Sequence, residues 1–294
     1  MNEQEMIQAL EATGNYRIVR RFNPVAQYHT PTDEPLKLGV YIDTETTGMD
    51  VEVDDVIEIG MVPFEFDSNG NIYRVLEGYC EFNDPGRPIS AEITAITGIT
   101  DEMVSGKCID MAKVEAMAGS AALIICHNSS FDRPFLEKLS PAFESMWFGC
   151  SFKDINWREE GVESAKLEYL AYYYGWFYDG HRAIIDVQIG IQILSEQLPT
   201  SQETALQQLL DNARRKEYRL WAVGAPFDAK DELKKRGYRW SPGDKGDIKA
   251  WYTDILEVEL ETEYTYLSEN IYKKAVSDLP KKLIDGRLRY SKRI

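Results

Sequence analysis

From Lys37 onward, apolar and polar positions alternate in blocks that predict an α/β domain. LGVYID (38–43) is a continuous apolar run closed by an acid, the pattern of a buried central strand. DVIEIGMVPFEF (55–66) and IYRVLEGYCEF (72–82) flank SNGN and predict a β-hairpin across a tight turn. A helix is expected around Ser90–Ile96, and Thr100 with Asp101 and Glu102 begins another. ALIICH (122–127) is a second buried strand, and Ser129 or Ser130 is expected to cap the helix carrying FDRPFLEKL. Residues 165–175 and 183–198 have helical apolar spacing, the second stretch ending before Pro199. Strands first, then alternating helix and strand, predict a mixed sheet covered by helices.

The flanks read differently. Glu3 to Ala12 is expected to form an amphipathic helix and Tyr16–Phe22 a short strand, followed by the Pro-rich link PVAQYHTPTDEP. Residues 202–217 are expected to be a polar connecting helix. A small module follows: strand 219–225, helix 228–237, strand 238–240, the turn SPGDKGD, strand 249–258 and another helix. The expected organisation is thus an appendage at 1–37, an α/β domain at 38–200, and a small α+β accessory domain with a basic tail at 201–294.

Charge sharpens this division. The formal net charge of −16 lacks the basic footprint usual for nucleic-acid proteins. Residues 38–200, however, hold 28 acids against 10 bases, whereas residues 201–294 hold 16 acids against 19 bases. The acidic part suits divalent cations, and the C-terminal third is where phosphate attraction is expected. No stretch approaches the roughly 18 consecutive apolar residues of a membrane span. The start MNEQEMIQAL lacks the features of a signal peptide. Four widely spaced cysteines form no CxxC pair, which argues against a zinc cluster or disulfide framework. A cytoplasmic protein without membrane contact is expected.

Three segments carry candidate chemistry. VYIDTETTG places Asp43 and Glu45 at i and i+2 on one face of a strand end. ICHNSSFDRPFLE puts Asp132 in the first turn of a helix, whose positive end favours an anion. GHRAIIDVQIGIQIL sets His181 five residues before Asp186, so that His181 falls on a loop while Asp186 enters a helix. Phosphodiester hydrolysis by two metal ions needs cations about 3.5–4 Å apart, clamping the attacking water and the leaving oxygen. Mg²⁺ and Mn²⁺ take oxygen ligands, which makes Asp and Glu the expected residue types. His127 reads as packing or loop support, and His29 as inert.

This set resembles the DEDDh branch of the DEDD exonucleases (DnaQ-like 3′→5′ exonucleases), which includes the proofreading subunit of bacterial DNA polymerase III, exonuclease X and ribonuclease T. The resemblance covers roughly residues 38–198, and ITGIT (96–100) is similar to a family loop. It implies a ribonuclease H-like fold, 3′→5′ hydrolysis and nucleoside 5′-monophosphate products. It also implies that Asp43, Glu45, Asp132 and Asp186 hold two divalent cations, Mg²⁺ or Mn²⁺, with His181 as general base.

Substrate contacts are expected from Thr44, Thr46, Thr47 and Gly48 through the backbone, and from Asn128 through hydrogen bonds. Met49, Ile99 and Phe131 are expected to pack on bases; for each, plain core packing is the competing reading. The expected partner is a single-stranded 3′ end, with DNA favoured over RNA. RNA trimming, and a non-catalytic binding protein on a relic nuclease fold, are the competing functions; a protein partner is also open. In the C-terminal third, Trp221, Tyr238, Trp240, Trp251 and Tyr252 interleave with lysines and arginines. They read equally as a stacking surface for single strands or as a small core.

Overall fold

In the computed structural model, which describes residues 2–294 without the Lys245 side chain, the chain opens with helix α1 (Glu3–Glu11). Asn2 caps it: its side chain accepts the Glu5 N–H, and the Glu5 carboxylate accepts the Asn2 N–H, each at 2.9 Å. The expected strand at 16–22 shrinks to β1 (Arg20–Arg21). Then come β2 (Lys37–Thr46), β3 (Val56–Phe66), β4 (Ile72–Val75) and β5 (Tyr79–Phe82). The second arm of the expected hairpin is therefore broken in two, and both pieces pair with β3. Helices α2 (Ala91–Thr97), α3 (Asp101–Val104) and α4 (Met111–Gly119) lead to β6 (Leu123–Cys126), α5 (Ser129–Leu139) and β7 (Phe148–Cys150). Next are α6 (Leu167–Tyr173), β8 (Trp176–Phe177), α7 (Ala183–Ser195) and α8 (Ala205–Arg214).

The main sheet runs β4-β3-β2-β6-β7, with β5 also on β3; β2 pairs antiparallel with β3 and parallel with β6. Alternation along the central strand assigns the two faces. Tyr41 joins a core with Val187 and Ile191 of α7 and Leu206 and Leu209 of α8. Val40 and Ile42 join the opposite core with Val114 of α4 and Phe135 and Leu136 of α5. Fully burying each such side chain contributes about 1.5–3 kcal/mol. A mixed sheet flanked by helices results, the ribonuclease H-like class expected from the sequence.

Several local expectations are corrected. Ser129 is not a cap but the first residue of α5, its Oγ donating to Gly149 O at 2.6 Å; Asn128 precedes it without a side-chain cap bond. Helix α8 is not a polar connector. Its residues Ala205, Leu206, Leu209, Leu210 and Ala213 are buried in the α7-side core, because they repeat at helical spacing.

The chain divides into two compact units, one running to Ala213 and including Tyr290–Arg293, the other Arg214–Arg289 with Ile294. The second unit is built from β9 (Glu217–Ala222), α9 (Lys230–Lys235), β10 (Arg239–Ser241), β11 (Ala250–Leu256), α10 (Leu260–Tyr266) and β12 (Lys281–Ile284). Its sheet order is β10-β11-β9-β12, all antiparallel. The basic tail thus contributes a strand. Among the described residues, no helix is long and apolar enough to cross a membrane.

Candidate active site

Strand β2 delivers Asp43 and Glu45 to the face covered by α7, the same face as Tyr41. Directly opposite on β3 stand Gly60, across from Asp43, and Glu58, across from Glu45. Gly60 is a foothold for α7: a Cβ there would lie 2.5 Å from the carbonyl carbon of Ala183. Without a side chain at 60, the first turn of α7 reaches the strand and brings Asp186 beside Asp43. One oxygen each of Asp43, Glu45 and Asp186 lie within 4.8 Å of one another. At that spacing, two carboxylates repel by on the order of 3 kcal/mol at an effective dielectric near 20.

Asp132, on the first turn of α5, lines the same cleft but is not one of those three. Its Oδ1 accepts the Thr44 N–H at 3.1 Å and the Thr44 hydroxyl at 2.8 Å. Asp186 is held by the Tyr178 hydroxyl, donating to Oδ1, and by the Arg182 N–H, donating to Oδ2, both at 3.0 Å. His181 lies on the loop before α7 in a left-handed conformation, φ 63°, which costs a residue other than glycine about 1–2 kcal/mol. Its ring is half exposed, with Nε2 3.9 Å from Glu168 Oε1. The five residues surround an open cleft of about 330 Å³, completed by Asn128, Phe131, Phe152 and Lys166 among others.

Crowding shows in the acid strengths. Burial raises Asp43 well above the usual carboxylate range, and the charges of Asp132, Asp186 and Glu45 add to it. Burial and the Asp186 and Glu58 carboxylates push Glu45 up to about 8. Burial lifts Asp132 to about 7 against the opposing Thr44 hydrogen bonds, and Asp186 to about 6 against Tyr178 and the Arg182 N–H. Among the described residues, no lysine or arginine forms an ion pair with any of the four.

His127 fits the supporting role expected of it. Its Nε2–H donates to Ala165 O at 2.8 Å, so Nδ1 accepts from the Ser151 hydroxyl at 2.9 Å, which in turn accepts from the Tyr41 hydroxyl at 2.8 Å. Burial depresses this imidazole to about 4, which keeps it neutral.

Of the residues singled out for substrate contact, Thr44, Asn128 and Phe131 line this cleft. Thr44 and Thr46 are buried, Thr47, Gly48 and Phe131 are half-buried, and Met49 and Asn128 are exposed. Ile99 is corrected: it is fully buried with Ile57, Ile89 and Val104, and no face of it is open to a base.

Sequence reading missed Glu58, Arg182, Tyr178 and Glu168. Glu58 is fully buried, pairs with Arg182 Nη2 at 3.0 Å and accepts the Ala183 N–H at 3.1 Å. The signal was present: one acid inside the apolar run VIEIGMV needs a buried partner. The N-terminal segment also bears on this loop. The Arg20 N–H donates to Gly175 O and the Phe22 N–H to Phe177 O, each at 2.9 Å, pairing β1 with β8 just before Tyr178.

A family profile described as Exonuclease matches residues 40–194. The DNA polymerase III PolC-type of Pediococcus pentosaceus is 40% identical over 109 residues, covering 35% of this chain and 7% of that protein. Its counterpart in Staphylococcus epidermidis is 28% identical over 204 residues, 64% of this chain and 13% of that protein. The chain thus spans a small fraction of the length of these relatives. Among solved structures, exonuclease X in complex with 5′ overhanging duplex DNA aligns with a TM-score of 0.45 and 25% identity, covering 59% of this chain and 99% of that one. E. coli exonuclease I in complex with a dA16 oligonucleotide gives 0.47 and 16%, covering 85% and 63%. The profile spans more than half of the chain, and the chain belongs to the exonuclease family.

Proposed function

We propose that this exonuclease removes nucleotides one at a time from the 3′ end of single-stranded DNA, releasing nucleoside 5′-monophosphates. The observation that carries the reading is the trio of Asp43, Glu45 and Asp186 oxygens within 4.8 Å, beside the exposed ring of His181. Residues 38–200, with α8 packed on them, would form the catalytic domain and the remainder an accessory domain.

The donor set fits divalent cations. All candidate ligands are carboxylate oxygens, as hard cations require, and among the described residues they are crowded without an ion-paired lysine or arginine. Asp43, Glu45, Asp132 and Asp186 would hold two ions, Mg²⁺ or Mn²⁺. Bound there, the ions supply Lewis-acid polarisation of the phosphate and a more acidic water.

The protein's own groups do the rest. The His181 imidazole accepts the proton of the attacking water, with the Glu168 carboxylate 3.9 Å from its Nε2. Water oxygen bonds to phosphorus, the bond to the 3′ oxygen of the preceding nucleotide breaks, and that oxygen takes a proton from solvent to leave as a 3′ hydroxyl. The backbone of Thr44, Thr46, Thr47 and Gly48 approaches the terminal nucleotide, Asn128 bonds its sugar or phosphate, and Met49 and Phe131 border its base.

Matched DNA and RNA oligonucleotides labelled at either end test the reading. Mg²⁺- or Mn²⁺-dependent release of mononucleotide from the 3′ label of single-stranded DNA is expected, lost in Asp43→Asn and strongly reduced in His181→Ala. Faster release from RNA would replace DNA as substrate. Full activity in Asp43→Asn would remove the site.

A further inference from the structure

The second unit sorts its aromatic residues into two groups. Trp221 and Tyr238 are buried, and the latter packs with Leu220, Leu233 and Leu267. Arg219 and Arg239 lie over Tyr252 but are bound to Asp254, and Arg236 lies over Tyr266 but is bound to Glu263. These arginines are part of the scaffold. A second group has no such duty. Phe227, just before α9, is 79% exposed, and Trp240 on β10 is 49% exposed.

Two lysines join these rings into one strip. Lys230 Nζ lies 4.8 Å from the Phe227 ring centre. Lys234, one turn along α9, lies 6.0 Å from the ring centre of Trp251, which meets Trp240 edge-on at 5.6 Å. Leu233, fully buried, fixes the helix beneath them. Among the described residues, no carboxylate forms an ion pair with Lys230 or Lys234. The intervening acids Asp231 and Glu232 fall on other faces, because each helical residue turns about 100°.

We propose that the strip Phe227–Lys230–Lys234–Trp251–Trp240 binds single-stranded nucleic acid, with bases stacked on the rings and phosphates met by the two ammonium groups. The proposal rests on the reading that the chain acts on single strands. The exposed rings of Phe227 and Trp240, with half-buried Trp251 between Lys234 and Trp240, give the stacking faces and interleaved cations that sequence-tolerant strand binding requires. A protein-binding surface would favour aromatics without lysine, which is depleted from the centres of such interfaces. The strip also lies in the part of the chain where bases outnumber acids.

The test uses the full chain in EDTA, so that no turnover is needed, with anisotropy of a 5′-labelled polythymidine strand as readout. Phe227→Ala/Trp240→Ala should weaken binding ~10-fold or more. Lys230→Gln/Lys234→Gln should make the dependence of log K on log salt shallower by about 1.4, two phosphates' worth. Phe227→Tyr/Trp240→Phe keeps the rings and should keep the affinity, which guards against mere misfolding. Parental affinity and salt slope in the first two variants would overturn the proposal and leave the strip to a protein partner. Loss of affinity in the ring-preserving variant would also overturn it. Failure of the exonuclease reading shows separately, as absence of nucleotide release by the parent chain.

Discussion

Glu58 and Arg182 are joined at 3.0 Å, and this contact ties the strand beside Asp43 to the start of the helix that carries Asp186. Glu58 also stands directly across from Glu45, a like-charge pairing that would be destabilising if Glu58 were not neutralised. Glu58→Gln keeps an oxygen for the Ala183 N–H but gives up the charge. We expect kcat to fall about 10-fold with KM little changed, because binding groups elsewhere are untouched. Steady-state kinetics on a 3′-labelled strand check this; a change confined to KM would mean that Glu58 serves substrate binding instead. Glu58→Ala should also lower stability by about 1–3 kcal/mol, since it strands the Ala183 N–H.

Gly60→Ala tests the foothold. The new methyl would sit 2.5 Å from Ala183 backbone, which cannot yield as a flexible side chain would. Helix α7 must shift outward and take Asp186 with it. A displacement near 1 Å is expected to cost about 100-fold in rate. It should also raise the Mg²⁺ concentration needed for half-maximal activity. Parental metal dependence would show that Asp186 does not depend on this close approach.

The acid cluster makes a prediction about pH. Without a cation, Asp186, Asp132 and Glu45 titrate near 6, 7 and 8, and Asp43 is raised as well. A raised folded pKa means stability that is complete below the unfolded value, about 4, and is lost as pH climbs through the folded value. In EDTA, Tm is therefore expected to fall between about pH 4 and pH 8. Saturating Mg²⁺ or Mn²⁺ should flatten the decline, and Asp43→Asn should reduce it without metal. Equal slopes for parent and Asp43→Asn in EDTA would contradict the account.

Tyr178→Phe removes the hydroxyl that donates to Asp186 Oδ1 at 3.0 Å. Losing a donor to the ionised form moves the carboxyl further up, so metal should bind more weakly at neutral pH. Isothermal titration with Mn²⁺ should show a several-fold loss, shrinking as pH rises. An unchanged affinity at neutral pH would leave Tyr178 with a packing role only.

How much of this was legible depended on periodicity. Asp43 and Glu45 could be read because a long apolar run ended in acids two apart, and Asp186 because α7 follows His181 at a fixed offset. Glu58 escaped because VIEIGMV was read only as strand, although its lone acid demanded a partner brought 124 residues along the chain. Helix α8 looked polar because Gln207, Gln208 and Asp211 hide an apolar stripe of the right period. Ile99 looked available because a loop residue's burial depends on Ile57 and Val104, which sequence spacing does not bring together. The three-residue β7 is set by its neighbour β6 and has too few positions to show any period.

Residues Tyr290–Arg293 return to the first unit: Tyr290 donates its hydroxyl to Asp154 at 2.5 Å, and Arg293 pairs with Glu137 at 2.9 Å. Residues 214–289 are therefore an insertion in sequence, entered from Ala213 and left at Tyr290, which both belong to the first unit. Folding of the first unit is thus complete only after the whole of 214–289 has been made, because four of its residues lie beyond that insertion.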